Sequence, residues 1–172
     1  MKTVWLAGAF AMVASGAAWA GPQYVDKTGF AVSGYDVVAY FDLPQSELGQ
    51  PQPKAVPGRA DITAEFNDAT FAFATEANRD AFLANPEKYA PQFDGHCAYG
   101  VAVGGKVPAN PYLWRIVDGA LYLNITEDVV GLWEEDISGH ITNANTEWED
   151  LEDDRASRKR IPSFTSSAPL VN

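Results

Sequence analysis

The sequence predicts an α+β fold, in which a small antiparallel sheet of two hairpins and a short strand is flanked by several helices. Two observations predict the hairpins: period-two alternation on both sides of Asn67-Asp68, and an Asp118-Gly119 pair between two apolar segments. The third observation is that helical patterns follow these hairpins without the regular strand–helix–strand alternation typical of a parallel sheet.

The first half of the chain supplies a buried segment, a hairpin and a helix. The run GYDVVAYFD at 34–42 is apolar between its glycine and its last aspartate, which predicts a buried strand or a turn that leads into one. The segment 61–75 is the first hairpin. Thr75 is typical of a helix cap, and the helix that follows it is broken or restarted at Pro86.

The second half repeats these kinds of element, although no internal repeat is visible in the sequence. HCAYGVAVGG at 96–105 favours a short helix ended by Gly104 over a strand. The segment 113–124 is the second hairpin, and Thr126 begins a helix with acidic residues in its first turn. Apolar residues at helical spacing predict a last helix that starts near residue 137.

The first twenty residues have the pattern of a cleaved secretory signal. Lys2 provides the positive start, an apolar run follows, and Ala18 and Ala20 place small residues before a cut after Ala20. The run is too short to span a membrane, so we expect no transmembrane segment after cleavage. This pattern predicts a periplasmic or secreted protein in an oxidising compartment.

The remaining chain is predicted to be one domain followed by a tail. We assign residues 21–154 to the α+β domain, a length typical of a single domain. Residues 155–172 are polar with little periodicity, and we expect them to be disordered.

Composition excludes several function classes. The net charge is −11, or −12 without Lys2, so we expect no nucleic acid partner. Both methionines lie in the signal, which excludes a methionine-rich copper(I) site. A single cysteine excludes an internal disulfide.

That cysteine, Cys97, lies in the segment FDGHCAYG at 93–100, directly after His96. Three interpretations are open: a metal ligand, a redox nucleophile, and a buried thiol that only packs. A helix start at Cys97 would favour its thiolate, and a redox step would need a partner protein for the second thiol.

A metal site would need Cys97, His96 and an oxygen ligand from elsewhere. Neighbouring residues point in different directions on a strand or helix, so this pair chelates one ion only from a loop or a helix start. The oxygen would come from the GYDVVAYFD segment, and Asp36 is our candidate. A copper or zinc ion suits such nitrogen, sulfur and oxygen ligands.

Three stretches of this chain resemble the small exported YHS-domain proteins: GYDVVAYFD, FAFATEANRDAFLANPEKYAPQFDGHCAYGVAVGGKVP and WRIVDGALYLN. Together they extend over about residues 30–150. The resemblance implies a single YHS-like α+β domain. Some members have selenocysteine at the position matched by Cys97, which implies chemistry at this residue.

The wider superfamily includes heavy-metal transporters with two cysteines in the block that matches FAFATEANRDAFLANPEKY. These cysteine positions fall on Ala74 and Asn78, which offer no thiolate. The metal role of that block is therefore not carried over to this chain.

The sequence leaves three functions open. The first is binding or handling of a copper-like metal ion, centred on Cys97. The second is a thiol-based redox enzyme with Cys97 as its nucleophile, and the third is a non-catalytic binding module with a structural Cys97. Whether the protein is an enzyme, and which partner or oligomeric state it adopts, are not predicted.

Overall fold

The computed structural model describes residues 22–169 and has the α+β architecture that the sequence predicts. The strands of its two antiparallel hairpins are β1 (Arg59–Phe66), β2 (Ala69–Phe73), β3 (Asn110–Val117) and β4 (Ala120–Asn124). The predicted turns Asn67-Asp68 and Asp118-Gly119 both have positive φ. Each hairpin forms a sheet of its own, and the inward faces of both meet in one core that includes Phe71, Phe73, Leu121 and Leu123.

The helices follow the hairpins, as their capping residues predict. They are α1 (Glu76–Ala84), α2 (Pro86–Tyr89), α3 (Ala98–Ala102), α4 (Glu127–Glu135) and α5 (Ile137–Leu151). Thr75 and Thr126 cap α1 and α4 through their hydroxyl oxygens. The short helix predicted within 96–105 is α3, which packs against α5.

The strand expected in GYDVVAYFD is wrong, although the segment is buried almost throughout. A 3₁₀ turn at Val32–Gly34 leads into the segment, and a second one at Ala39–Asp42 ends it. Between them Tyr35 is extended, whereas Val38 has helical φ and ψ. The first turn is left-handed because Val32, Ser33 and Gly34 all have positive φ. Backbone of this hand cannot continue a strand ladder.

The structure contains an internal repeat that the sequence does not reveal. Strands β3 and β4 and helix α4 begin and end 51 residues after β1, β2 and α1, respectively. Asn110, for example, is the counterpart of Arg59, and Glu127 is the counterpart of Glu76. Both long strands contain the same irregularity in register, between Arg59 and Thr63 and between Asn110 and Trp114. We call residues 32–89 the first unit and 93–151 the second unit.

The turn that opens each unit is repeated as well. Phe93, Asp94 and Gly95 have the positive φ values of Val32, Ser33 and Gly34, which lie 61 residues earlier. The next residue, Tyr35 or His96, makes an isolated antiparallel bridge to a proline, Pro57 or Pro108. Asp36 in the first unit therefore occupies the position of Cys97 in the second.

Residues 155–169 do not follow the disorder predicted for the tail. They have no regular secondary structure, but Ile161 and Ala168 are buried against the domain. Hydrogen bonds hold the segment: Tyr24 Oη donates to the Lys159 carbonyl, and Ser166 Oγ donates to the Ser33 carbonyl. Hydrogen bonds between side chains and backbone carbonyls thus take the place of the ladder that a helix or strand would supply.

Two of the sequence predictions reach beyond this part of the chain. The signal predicted for residues 1–20 lies outside the described residues, as do residues 170–172 of the tail. Among the helices of the described part, none is both long and apolar enough to cross a membrane.

Candidate functional site

Cys97 is buried completely at the start of α3. Its Sγ accepts a hydrogen bond from the Gly100 N–H at 3.3 Å, and the thiol donates to Asn124 Oδ1 at 3.5 Å. The same Asn124 oxygen accepts from the Tyr99 N–H at 3.1 Å. Cys97 is therefore the capping residue of a very short helix, tied to the end of β4.

This environment keeps the thiol protonated. Burial raises the pKa of Cys97 to about 11, because a thiolate would lose its hydration. The N–H groups of Gly100, Ile125 and Tyr99 lower the pKa in part, but burial has the larger effect. The ordinary thiol value is 9.0, so about 100-fold fewer thiolates exist at neutral pH than for an exposed cysteine.

His96 is also fully buried, and both of its ring nitrogens have partners. Nδ1 lies 2.9 Å from the Phe93 carbonyl, and Nε2 accepts a hydrogen bond from the Ser157 N–H at 3.1 Å. These partners require a neutral ring with its proton on Nδ1. Burial lowers the pKa of His96 to about 4, although the Phe93 carbonyl opposes this shift.

Asp36 has four hydrogen-bond donors around its buried carboxylate. Oδ1 accepts from the N–H groups of Val38 and Ala39, at 2.9 and 3.2 Å. Oδ2 accepts from the Ala74 N–H at 2.8 Å and from Asn78 Nδ2 at 2.7 Å. Ala74 and Asn78, the positions matched to transporter cysteines, therefore meet at Asp36 as hydrogen-bond donors.

The Asp36 carboxylate and the Cys97 sulfur accept equivalent backbone hydrogen bonds in the two units. The Ala39 N–H donates to Asp36 Oδ1, as the Gly100 N–H at the equivalent place donates to Cys97 Sγ. The backbone N–H of each residue also bonds the equivalent carbonyl, Val56 or Val107. Each acceptor closes a turn and ties it to its hairpin.

The proposed metal ligands do not form a metal site in this structure. Nε2 of His96, the Cys97 sulfur and both Asp36 oxygens accept hydrogen bonds within the protein. Throughout residues 22–169, no group of three or more histidine, cysteine, aspartate or glutamate side chains is arranged to hold an ion. Copper or zinc coordination by Cys97, His96 and Asp36 thus requires these hydrogen bonds to break.

Asn124, which accepts a hydrogen bond from Cys97, also lines a cavity of about 380 Å³. Its walls are a loop between Gly49 and Lys54, the β3 residues 112–115, and one side of α4. Most of the wall is apolar or aromatic, and Tyr112, Trp114 and Trp133 contribute the largest rings. The volume is within the range of small-molecule sites.

Hydrogen bonds hold the loop of this cavity against the hairpin and α4. Trp114 Nε1 donates to the Pro53 carbonyl at 2.9 Å. Arg115 binds Glu134 Oε1 through two nitrogens, at 3.0 and 2.6 Å, and the Gly49 N–H donates to Glu134 Oε2 at 2.7 Å. The Arg115–Glu134 pair is more than nine-tenths buried, so it is a fixed part of the wall.

Only weak signals for this cavity are present in the sequence. Arg115 is a charged residue inside the apolar strand segment LWRIV, and Asn124 is a polar residue at the end of another apolar run. A buried charge needs a partner, so Arg115 indicated a distant carboxylate, but nothing local identified Glu134. Tyr112 lines the cavity, whereas Tyr99 packs on His140.

Comparison of the chain with protein-family models, with curated proteins and with solved structures found no match. Membership of the YHS-domain family therefore stays a prediction from the three stretches of sequence.

Proposed function

We propose that this protein is a non-catalytic binding module in which Cys97 has a structural role. The observation that carries the proposal is the equivalence of Cys97 and Asp36. A carboxylate that closes a turn in the first unit has a sulfur atom as its counterpart in the second. Export to the periplasm and membership of the YHS-domain family remain part of the proposal, on the sequence evidence alone.

The chemistry of the buried thiol supports this role over catalysis. A redox nucleophile needs a thiolate that a peroxide or disulfide can reach, and Cys97 is neither exposed nor acidic. His96, which would assist as a cation, has its pKa lowered to about 4 and is therefore neutral near pH 7.

One feature favours the redox alternative. Three N–H groups, from Gly100, Ile125 and Tyr99, act on the sulfur and lower the pKa of the thiol. If this region opened to solvent, the burial that now outweighs them would be lost. The redox function therefore depends on opening, and opening is measurable.

The test is alkylation of the mature protein with iodoacetamide at pH 8, folded and in denaturant, with Cys97→Ser as the blank. We expect labelling of the folded protein to be slower by at least about 100-fold, from the pKa shift alone. Equal rates in both states would overturn the structural role.

Two further measurements use the same pair of proteins. We expect wild type and Cys97→Ser to bind copper(II) and zinc with equal affinity, and to consume hydrogen peroxide at equal rates. A loss of metal affinity of tenfold or more in the variant would return Cys97 to the metal ligands. A loss of peroxide consumption would make it a redox nucleophile.

A further inference from the structure

The cavity beside α4 is preformed, because hydrogen bonds connect its loop region to the other two walls, β3 and α4. The Ser46 carbonyl accepts from Arg115, the Pro53 carbonyl accepts from Trp114, and the Gly49 N–H donates to Glu134. A site held in this way loses little conformational freedom when a ligand binds.

The charges in the wall are already neutralised. Arg115 and Glu134 pair with each other, and the remaining oxygen of Glu134 accepts from the loop. Lys54 and Glu127, both exposed, contribute one charge of each sign at the edge. Because no buried counter-charge is left for an ionic ligand, and the net charge of −11 repels anions, an uncharged ligand suits this cavity.

Two wall residues have hydrogen-bond donors without an acceptor. Among residues 22–169, four buried side-chain nitrogen or oxygen atoms lack a partner, and both nitrogens, Gln52 Nε2 and Trp133 Nε1, belong to residues that line this cavity. Gln52 Oε1 is held by the Ser46 N–H, which fixes the orientation of that amide. An unpartnered buried donor costs about 1–3 kcal/mol, and an oxygen on a ligand would remove that cost.

The repeat shows that packing does not require the indole nitrogen. The residue at the place of Trp133 in the first unit is Phe82, which is also fully buried and packs among aromatic rings. A phenylalanine therefore suffices for the core at this position of α1. The indole N–H is therefore found only in the second unit, on a residue that lines its cavity.

We propose that this cavity binds an uncharged, mainly aromatic or aliphatic molecule that carries a carbonyl-type oxygen. The apolar body of the ligand packs on Tyr112, Trp114 and Trp133. Its oxygen accepts hydrogen bonds from Trp133 Nε1 and Gln52 Nε2, which small side-chain rotations bring from the wall to the ligand. This inference rests on the proposed binding function and names its ligand class.

The test uses two uncharged fluorescent probes with the mature protein. Prodan is a naphthyl ketone and has the required oxygen, whereas phenylnaphthylamine has the aromatic body without it. We expect prodan to bind with a dissociation constant of tens of micromolar or tighter, on the order expected for a ligand of this size. Failure of prodan to bind at about 1 mM, a millimolar limit for weak ligands, would overturn the proposal.

Three variants locate the binding. Gly131→Leu adds a side chain at a cavity residue whose Cβ would meet no atom within 4 Å, and leucine also favours the helix. We expect it to weaken prodan binding at least about tenfold by filling the cavity. The matched control is Asp80→Leu, at the equivalent position of α1, and it should bind prodan as wild type does. Equal binding by Gly131→Leu would place the probe elsewhere and overturn the assignment.

Trp133→Phe tests whether the ligand oxygen accepts a hydrogen bond from the indole N–H. We expect about fivefold weaker binding of prodan, the effect of one hydrogen bond, and binding of phenylnaphthylamine within twofold of wild type. Equal loss of both probes would contradict the role of the indole N–H. Circular dichroism confirms the fold of each variant. Because Cys97 alkylation is scored separately, an inert thiol without prodan binding rejects this inference alone, whereas a reactive thiol rejects the proposed function.

Discussion

At the scale of single residues, the two units provide hydrogen-bond acceptors for equivalent buried N–H groups with different atoms, a carboxylate oxygen and a sulfur. A left-handed turn of three residues brings the chain into each unit, and non-glycine residues there have an unfavourable φ. The acceptor that follows, Asp36 or Cys97, compensates by binding N–H groups that would otherwise be buried without a partner. Asp36 makes four such bonds, and it is therefore the more important of the two for stability.

The first prediction concerns Asp36. All four hydrogen-bonding neighbours of the Asp36 carboxylate are donors, two on each oxygen. In Asp36→Asn, the amide NH₂ replaces one oxygen and places a donor against two other donors. We expect the free energy of unfolding to fall by about 3 kcal/mol, as for other buried charges that lose matched partners. Urea denaturation monitored by tryptophan fluorescence measures this loss.

The control for this substitution is Asp61→Asn. The Asp61 side chain is 67% exposed and pairs with exposed Arg59, so we expect its substitution to leave the stability almost unchanged. Similar effects of the two substitutions would show that the four bonds of Asp36 contribute little.

At the scale of elements, both hairpins lead into a helix through the same cap. Thr75 Oγ1 accepts from the Asn78 N–H, and Thr126 Oγ1 accepts from the Val129 N–H. Each cap satisfies one of the N–H groups that have no partner within the helix, and acidic residues next to both caps favour the positive end of the helix dipole.

The second prediction follows from the caps. Thr75→Ala and Thr126→Ala should each lower the free energy of unfolding by about 1 kcal/mol, and the double variant by about the sum, because each hydroxyl bonds an N–H of its own helix. Denaturation curves measure all three. The matched control is Thr142→Ala in the middle of α5, which we expect to change stability by less than about 0.5 kcal/mol. A control loss as large as either cap would contradict the prediction.

The third prediction concerns the end of α5. Lys106 Nζ donates to the carbonyls of Leu151, Glu152 and Asp154, and it lies over the ring of Trp148. Lys106→Met keeps the apolar stem but removes the charge and its donors. We expect a loss of about 2 kcal/mol, from hydrogen bonds to a charged group at a helix C-terminus.

Hydrogen exchange locates the effect of this substitution. Amide protection in the last turn of α5 should fall in Lys106→Met, while exposed Lys27→Met leaves it unchanged. Unchanged protection in Lys106→Met would mean that α5 ends as stably without its lysine.

At the scale of the whole molecule, the C-terminal segment connects the two units. Ser167 bonds Tyr35 through its N–H and its hydroxyl, and the Ser157 N–H donates to His96. Tyr35 and His96 are equivalent residues of the repeat. The segment predicted to be disordered therefore contacts the same position in both units.

The elements of the fold were predictable because their signals are local. Turn pairs, capping threonines and Pro86 identified both hairpins and the helices without tertiary information. The repeat was not predictable, because residues 59–86 and 110–137 have the same residue at only three positions: Ala69 with Ala120, Thr75 with Thr126 and Glu76 with Glu127. What the two units share is backbone geometry, which many different side chains satisfy.

The candidate site was predicted less well, because its partners are distant in the chain. The sequence left a helix start at Cys97 open, and Cys97 caps α3. Asn124, the partner of Cys97, and Ser157, the partner of His96, lie 27 and 61 residues away in the chain. One of these bonds uses the backbone N–H of Ser157, which leaves no trace in composition. The sequence therefore identified the residues of interest without showing that their polar atoms already have hydrogen-bond partners within the protein.

The last prediction concerns pH, since burial shifts the pKa values of two groups in opposite directions: Asp94 in the left-handed turn of the second unit and His96 directly after it. Burial raises the pKa of Asp94 from 3.8 to about 6, although Lys106 opposes the shift. The folded chain holds that proton more tightly, so the contribution of Asp94 to stability is complete below 3.8 and lost as pH rises through about 6. His96 contributes fully above 6.5 and loses its contribution as pH falls through about 4.

Because these windows overlap, the two contributions largely cancel in the wild-type protein. Asp94→Asn removes the first and keeps the hydrogen-bonding shape of the side chain, which contacts Gln23 and Asn67. The stability of the variant relative to wild type should therefore increase from pH 4 to pH 6.5, by about 1–2 kcal/mol after allowance for partial solvation. Denaturation across this range measures the difference, with Asp61→Asn as the control. A difference that stays constant or decreases over these pH values would show that Asp94 is already ionised in the folded protein.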